Sequence, residues 1–432
     1  MMENLPEGKW ARAGIVGSTA LKVGLREVQH KVKRPFMSAE RQQEDKQSID
    51  DQNAQLIFNA LTQLRGTALK AAQMLSMEIE ILPERYRKEL EKSFHQVPPL
   101  NRVLVRKVIQ EQLGQPPEYL FSSFNDVAFA AASLGQVHHA TLPDGMAVAV
   151  KIQYPGIHVA MDNDMKLMRK LAPKLPNPQT VLQSLEEIHA RLKEEVDYAH
   201  EAASTQWFAE HLQLEGVHIP KVYLEFSGAR VLTTELMAGQ HLEAWLATNP
   251  SQEVRNRAAQ NLYDMMAISV RQLQHLHADP NPGNYLFHAD GSVSLIDFGC
   301  TKQFAPEFVA ILPELLQAFA MDDQALTLSL YRRLGMDHHP SSDTWYHEVL
   351  RPFAQWAALP LQEPSFDFGQ HSTYTSEARD IIHKLAHNTS LDKIANDFIF
   401  FDRTVYGLCK IFERMGAQVK ARHHWLAAGD SL

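Results

Sequence analysis

Two short stretches, His277-Ala278-Asp279-Pro280-Asn281-Pro282-Gly283-Asn284 and Leu295-Ile296-Asp297-Phe298-Gly299, constrain this chain more than anything else in its 432 residues. Transfer of a phosphoryl group asks little covalent chemistry of a protein; it needs positioned groups and neutralised charge. One aspartate beside the nucleophile, one asparagine on a metal and a second, metal-binding aspartate supply both. Asn284 stands five residues after Asp279, the spacing of a phosphoryl-transfer catalytic loop. Tyr285–Phe287 and Val293–Ile296 read as short strands, and a hairpin made of them lets Asn284 and Asp297 converge on the same magnesium ions. The order and spacing of the two stretches together argue against a mere turn followed by an acidic residue.

Upstream, Ala147-Val148-Ala149-Val150-Lys151 ends a predicted strand, as the Val-Ala-Ile-Lys of kinases does. Lys151 would meet the α- and β-phosphates as a compact point charge, with the Glu201 carboxylate orienting it. Where a kinase covers the phosphates with a Gly-x-Gly-x-x-Gly loop, Phe129-Ala130-Ala131-Ala132-Ser133-Leu134-Gly135-Gln136 stands here. Ala130, Ala131, Ala132, Ser133 and Gly135 are small enough for backbone N–H groups to approach phosphate. Alanine lacks the positive-φ states of glycine, so a stiffer loop is expected.

The flanking pattern predicts an α+β chain with a small sheet-bearing lobe followed by a helical one. Asn101 to Leu113 reads as a helix closed by Gly114. Val137 to Leu142 and Ala147 to Gln153 read as a hairpin reversed at Pro143-Asp144-Gly145. Gly156 to Leu175 and Pro178 to Gln213 read as helices, with strands near Val222 and over Val231–Glu235. Beyond Phe304 almost everything is helical. Pro306 is the first-turn proline of a helix over 307–320. The expected divisions are a basic N-terminal segment and polar linker over 1–52, a helical extension over 53–115, an N-lobe over 116–236 and a helical C-lobe over 237–432.

Composition narrows the partners. A net charge of −9 disfavours nucleic acid, whose phosphates need a basic surface. Two cysteines, Cys300 and Cys409, argue against a disulfide framework and fit a reducing cytoplasm. The histidine pairs His338-His339 and His423-His424 lack the i, i+4 spacing of two ligands on one helix face, and read as solvated surface. Residues 9–34 are locally basic, with Leu21, Leu25, Val28 and Val32 at helical spacing. Such a helix rests on an anionic membrane surface or docks on the protein itself. No apolar run reaches the length of a membrane-spanning helix, and the first residues lack the apolar stretch of a secretory signal. A cytoplasmic protein, peripheral at the inner membrane face if the basic helix binds lipid, is the expectation.

These residues resemble the UbiB/AarF family of atypical kinase-like proteins. Ala130-Ala131-Ala132-Ser133-Leu134-Gly135-Gln136-Val137-His138 is similar to the family's alanine-rich loop, and Lys151 continues into the family-typical Ile152-Gln153-Tyr154-Pro155-Gly156. Glu195-Val196-Asp197-Tyr198 resembles its Glu-x-Asp motif, with Glu201-Ala202 after it. Leu69-Lys70-Ala71-Ala72-Gln73-Met74-Leu75-Ser76 looks like its Lys-x-Gly-Gln helix. The resemblance covers residues 53 to 410. It implies a kinase-like fold, ATP or ADP with Mg²⁺ as cofactors, and support of ubiquinone biosynthesis. It also implies that the Lys-x-Gly-Gln-like helix folds over the active site, Lys70 and Gln73 reaching the nucleotide with Glu195 and Asp197 as polar partners. Three positions depart from the family pattern: Ala72 for glycine, Asn281 for histidine in the catalytic loop, and Ser204 for asparagine.

The expected function is thus a magnesium-dependent ATPase or phosphotransferase serving quinone or other isoprenoid-lipid metabolism. Its expected partners are nucleotide, an anionic membrane or isoprenoid lipid, and quinone-biosynthesis proteins. Ala305-Pro306-Glu307 follows Asp297-Phe298-Gly299 too closely to bracket a peptide-docking activation loop, and Ala278 replaces the arginine that would read a loop phosphate. Protein substrates are therefore disfavoured. Two alternatives stay open: a small-molecule kinase like the aminoglycoside phosphotransferases, and a non-catalytic scaffold that binds nucleotide or lipid.

Overall fold

The computed structural model describes residues 100–132, 134–174, 178–334, 342–378 and 396–426, together with Ser18, Thr19, Lys22, Ser48, Gln52, Leu56 and Ile381. Lys70, Ala72 and Gln73, Ser133, the His338-His339 pair and the basic segment apart from Ser18, Thr19 and Lys22 lie outside the described residues. The fold is α+β. Helix α1 (Arg102–Leu113) leads into strands β1 (Ser123–Phe124), β2 (Ala130–Ala132), β3 (Gly135–Thr141) and β4 (Ala147–Gln153). Helices α2 (Ile157–Leu171), α3 (Pro178–Glu195) and α4 (Tyr198–His211) follow, then β5 (Val217–His218) and β6 (Val231–Glu235). Helix α5 (Gln252–Arg271) precedes β7 (His275–His277), β8 (Tyr285–Phe287), β9 (Val293–Leu295) and β10 (Thr301–Gln303). Helices α6 (Pro306–Ala320), α7 (Gln324–Arg333) and α8 (Arg351–Gln362), strand β11 (Phe366–Asp367), helix α9 (Asn396–Met415) and strand β12 (Gln418–Val419) complete the order. The chain forms two compact units, one running to His200 with Tyr223–Thr234 added, the other made of Glu201–Val222 and Glu235–Leu432.

The first unit is built on a sheet in the order β1-β3-β4-β6, with β2 also paired to β3. The predicted hairpin is β3–β4, in antiparallel register from Gly135↔Gln153 to Thr141↔Ala147. Its turn holds because Gly145 takes φ 91°, open to glycine, while Asp144 Oδ1 accepts from the Met146 amide at 3.0 Å. Alternate β4 side chains Val148, Val150 and Ile152 are fully buried with Val105, Val108 and Ile109 of α1. Each such burial contributes about 1.5–3 kcal/mol. Helix α1 has the predicted ends: the Asn101 side chain accepts from Leu104 N, and Gly114 at φ 80° closes it.

Two expectations for this unit are corrected. The alanine-rich stretch is a strand pair rather than an open loop. Ala130, Ala131 and Ala132 face Val137, Gln136 and Gly135 across the ladder. The single helix expected over 178–213 is two, α3 and α4. Asp197 breaks it, because its Oδ1 accepts from the His200 amide at 3.0 Å and so caps a new helix.

Gly135 lacks a side chain for a packing reason. A Cβ there would meet the Ile152 carbonyl oxygen at 2.4 Å and the Tyr198 hydroxyl at 2.8 Å. Backbone cannot swing aside as a flexible side chain can. Gly135→Ala is expected to cost about 1–3 kcal/mol, read as a fall in the thermal unfolding midpoint; an unchanged midpoint would refute the tight approach.

A polar chain runs behind the same strand. The Leu100 amide donates to Gln136 Oε1 at 2.7 Å, Gln136 Nε2 lies 2.7 Å from His138 Nε2, and His138 Nδ1 lies 2.8 Å from the Asn125 carbonyl. The carbonyl can only accept, so His138 carries its proton on Nδ1 and takes the Gln136 amide at Nε2. Both ring nitrogens are used by the neutral form. Burial, the larger influence, lowers the His138 pKa against the opposing Asn125 bond and Asp126 charge. The unfolded chain then binds a proton more readily than the folded one. The stability due to the neutral ring is present above the ordinary histidine value of 6.5 and is lost as the pH falls through it toward the lower folded value. Thermal unfolding followed from pH 7.5 down to about pH 5.5 should show a decline that is shallower in His138→Gln. Equal slopes would refute the linkage.

The second unit holds a three-stranded sheet, β5-β9-β8, and two strand pairs, β7–β10 and β11–β12. Helix α5 runs through its core with Ala258, Leu262, Met266 and Val270 fully covered. Pro306 opens α6 at its first turn as predicted, where a missing amide hydrogen costs nothing. Among the described residues helices dominate beyond it, apart from the β11–β12 pair. Among the described residues, no helix is long and apolar enough to cross a membrane. The reading of His423-His424 as solvated surface holds for His423, which is exposed, and is corrected for His424, which is half-buried with Nε2 2.7 Å from Asp264 Oδ1.

Candidate active site

Strand β7 delivers the catalytic loop and β10 leaves the Asp-Phe-Gly turn. Their antiparallel register, His277↔Thr301, sets the two stretches side by side. The Ala278 amide donates to the Cys300 carbonyl at 3.0 Å. His277 is 2% exposed and its Nε2 donates to the Asp297 backbone carbonyl at 2.7 Å, while its buried Nδ1 meets no hydrogen-bond partner among the described residues. The ring ties the start of one motif to the metal-side aspartate of the other.

The loop then closes on itself. Asn281 Oδ1 accepts from the Gly283 amide at 2.9 Å and caps the 3₁₀ turn Pro282–Asn284. The asparagine that departs from the family pattern therefore shapes the loop. Asn284 Nδ2 donates to Asp279 Oδ2 at 2.8 Å and approaches the Asp279 carbonyl at 3.2 Å, which leaves Oδ1 as its donor atom for a cation. The hairpin expected between Asn284 and Asp297 is β8–β9, and beyond its last pair the Ile296 amide reaches the Asn284 carbonyl at 3.0 Å. Asp297 follows at once; its Oδ1 accepts from the Gly299 amide at 3.0 Å. Phe298 anchors the turn in the core, 5.3 Å from the Phe208 ring centroid and 5.4 Å from that of His277.

Two further groups face this turn. Glu201, in the first turn of α4 where the helix dipole favours a carboxylate, is 2% exposed, and its Oε2 lies 4.0 Å from where a Gly299 Cβ would be. Ser204, one of the departures, lies 3.5 Å from the Thr301 hydroxyl. Behind the loop, the Tyr285 hydroxyl is buried, and its pKa is pushed up by burial and then by the charge of Asp279.

Helix α9 braces the whole arrangement, and nothing in the sequence singled it out. Arg403 Nη2 donates to the Ala278 carbonyl at 2.8 Å while its guanidinium lies 5.0 Å from the Phe400 ring centroid. One turn on, Gly407 abuts Pro280, whose Cγ would lie 2.3 Å from a Cβ there. Asp397 holds the segment beyond the Asp-Phe-Gly turn, pairing with Lys302 at 2.9 Å and accepting from the Ala305 amide at 3.0 Å. A spacing of four residues between Arg403 and Gly407 puts them on one face, the only signal the sequence offered.

The remaining expected residues that the structure describes belong to the first unit. Lys151 projects from β4 with Nζ 5.1 Å from the centroid of the Tyr198 ring. Gln153, two residues on, donates to the Val196 carbonyl at 2.8 Å, so the Glu195-Val196-Asp197 junction is pinned to the end of the strand that carries Lys151. Gly135 approaches Tyr198 from β3. Asp279, Asn284, Asp297 and Glu201 thus gather in one unit, and Lys151, Glu195, Asp197 and Gly135 in the other.

Residues 92–330 match the ABC1 atypical kinase-like domain. The chain is 30% identical over 383 residues to the atypical kinase COQ8B, mitochondrial, of Rattus norvegicus, covering 85% of this chain and 71% of that one. It is 28% identical over 388 residues to the atypical kinase COQ8, mitochondrial, of Saccharomyces cerevisiae, covering 86% and 75%. A solved structure, that of the Rv3197–erythromycin complex from Mycobacterium tuberculosis, shares the fold with a TM-score of 0.62 at 24% identity, over 88% of this chain and 97% of that one. With more than half of its length matched, the chain belongs to the ABC1 atypical kinase-like family, the UbiB/AarF group its motifs resemble, and its chemistry is that of the kinase and phosphotransferase class.

Proposed function

We propose that this chain is a Mg²⁺-dependent, ATP-binding phosphotransferase or ATPase that supports ubiquinone or another isoprenoid-lipid pathway and does not phosphorylate other proteins. The observation that carries the reading is the Asn284–Asp279 bond at 2.8 Å, beside an Asp297 whose backbone is held by His277. Asn284 Oδ1 and the Asp297 carboxylate are hard oxygen donors, the kind Mg²⁺ takes. When bound there, the ion would neutralise charge on the β- and γ-phosphates. Asp279, oriented by Asn284, positions the attacking water or hydroxyl and accepts its proton. Lys151 offsets charge on the α- and β-phosphates, the small residues Ala130, Ala131, Ala132, Ser133 and Gly135 let the backbone come close to them, and Lys70, Gln73, Glu195 and Asp197 are further polar contacts. Against protein substrates stands the span from Cys300 to Ala305, which pairs with β7 and is capped by Asp397, leaving little chain to dock a peptide.

The names of the relatives place them in mitochondria; for this chain a peripheral membrane position, contacting anionic or isoprenoid lipid and quinone-biosynthesis proteins, follows from the same reading. MgATP or MgADP should raise the thermal unfolding midpoint of the purified protein, and ATP with EDTA should not. No nucleotide-dependent shift would end the proposal. Tight binding without turnover would leave the scaffold in its place. Quinone precursors should accumulate in a strain lacking the chain; an unchanged quinone profile would remove the pathway.

A further inference from the structure

A second cluster of chemistry-bearing side chains lies in the Glu235–Leu432 part of the fold, and none of its members belongs to the nucleotide site. Asp264 of α5 meets His423 and His424, from the 3₁₀ turn Arg422–His424 that follows β12, across 160 residues of sequence. His424 Nε2 lies 2.7 Å from Asp264 Oδ1 and His423 Nε2 lies 3.8 Å from the same oxygen. The three donor atoms all fall within 4.8 Å of one another. We propose that Asp264, His423 and His424 form a binding site for a borderline divalent cation of the Zn²⁺ class, with a coordination position left open.

The donor set decides the class. Two imidazole nitrogens and one carboxylate oxygen suit Zn²⁺ and its neighbours, while Mg²⁺ and Ca²⁺ prefer oxygen alone. Donors about 2.0–2.2 Å from a tetrahedral ion stand about 3.3–3.6 Å apart. The separations of 2.7 and 3.8 Å bracket that range, so an ion would spread one pair and draw in the other by less than the reach of a side-chain rotation.

The surroundings hold these donors in place. Asn256, Gln260 and Asp264 lie at intervals of four on one face of α5 and grip the incoming strand in turn. Asn256 Oδ1 accepts from the Gln418 amide at 2.8 Å, Gln260 Oε1 accepts from the Lys420 amide at 2.8 Å, and Gln260 Nε2 donates to Asp264 Oδ1 at 2.7 Å. His423 makes a backbone hydrogen bond with Lys420, the kind of outer contact that orients a ligating imidazole. A simple Asp264–His424 hydrogen bond would close the C-terminal segment without His423. Yet the exposed His423 ring packs against that of His424, centroids 4.0 Å apart, with its Nε2 toward the same carboxylate.

The test uses untagged, EDTA-stripped full-length protein, with Zn²⁺ alone followed by calorimetry and Co²⁺ alone by visible absorption. One equivalent of Zn²⁺ should bind, Co²⁺ should give the visible bands of a low-coordinate site, and excess Mg²⁺ should not compete. His423→Ala, at an exposed position, should keep the metal-free unfolding midpoint, lose the cobalt bands and weaken Zn²⁺ binding about tenfold or more. Asp264→Asn should behave alike. No stoichiometric binding, or binding unchanged in both variants, would overturn the assignment. Nucleotide binding is read separately, so either proposal can fail alone.

Discussion

Asp297→Asn is expected to leave the protein folded and to remove about a thousandfold or more of its Mg²⁺-dependent turnover. The substitution keeps the shape of the side chain, and the retained Oδ1 can still accept from the Gly299 amide, now at 3.0 Å. The bond from His277 goes to the Asp297 backbone carbonyl, which the change does not touch. What is lost is one negative oxygen, replaced by an N–H₂ that points positive hydrogens at a cation. Metal stabilisation of a transferring phosphoryl group is worth several kcal/mol, and about 4 kcal/mol is a thousandfold in rate. Metal-dependent nucleotide stabilisation should fall with it. Asp279→Asn should separate the two effects, keeping the MgATP-induced thermal shift while turnover drops, because Asp279 acts on the attacking group and not on the ion. Wild-type turnover in Asp297→Asn would remove that residue from the metal, and equal loss of binding in both variants would remove the division of roles.

The parts of this fold legible in the sequence are those whose chemistry is local. Asp279 and Asn284 must sit five residues apart to work together, so their spacing, with the Asp-Phe-Gly stretch after it, marks the loop, and the Asn284 amide indeed bonds both the carboxylate and the carbonyl of Asp279. Asn101, Gly114 and the Asp144-Gly145 turn were legible for the same reason, since a cap or a reversal is decided within four residues. The alanine-rich stretch was misread because its strand character comes from pairing with β3 and not from its own composition. The break at Asp197 hid inside a helical pattern, because an N-cap aspartate and a solvated helix aspartate look alike in sequence. Contacts across long separations were invisible. Arg403 reaches Ala278 over 125 residues, and His424 reaches Asp264 over 160. Adjacent histidines carried no metal signal until the fold supplied the carboxylate.

Gly407→Ala is expected to lower turnover about a hundredfold or more while leaving nucleotide affinity near wild type. On helix propensity alone the change should help, since alanine in a helix interior is favoured over glycine by about 1 kcal/mol. The added Cβ, however, would lie 2.3 Å from Pro280 Cγ and 2.7 Å from its Cβ. A proline ring has no rotamer to escape into, so either α9 or the catalytic loop must shift. The helix is the harder to move. Arg403 bonds it to Ala278, Asp397 bonds it to Lys302 and Ala305, and Phe401, Leu408, Ile411 and Phe412 lie in the core. The loop is a short excursion, and Pro280 directly follows Asp279. A displacement of about 1 Å at a positioned group typically costs about a hundredfold in rate, more than the propensity gain can offset. The expected signature is a lowered kcat with an unaltered MgATP-induced thermal shift, because Asp297 lies on the other stretch and is held by its own turn. A Gly407→Ala protein with full kcat would show that the contact with Pro280 does not position Asp279.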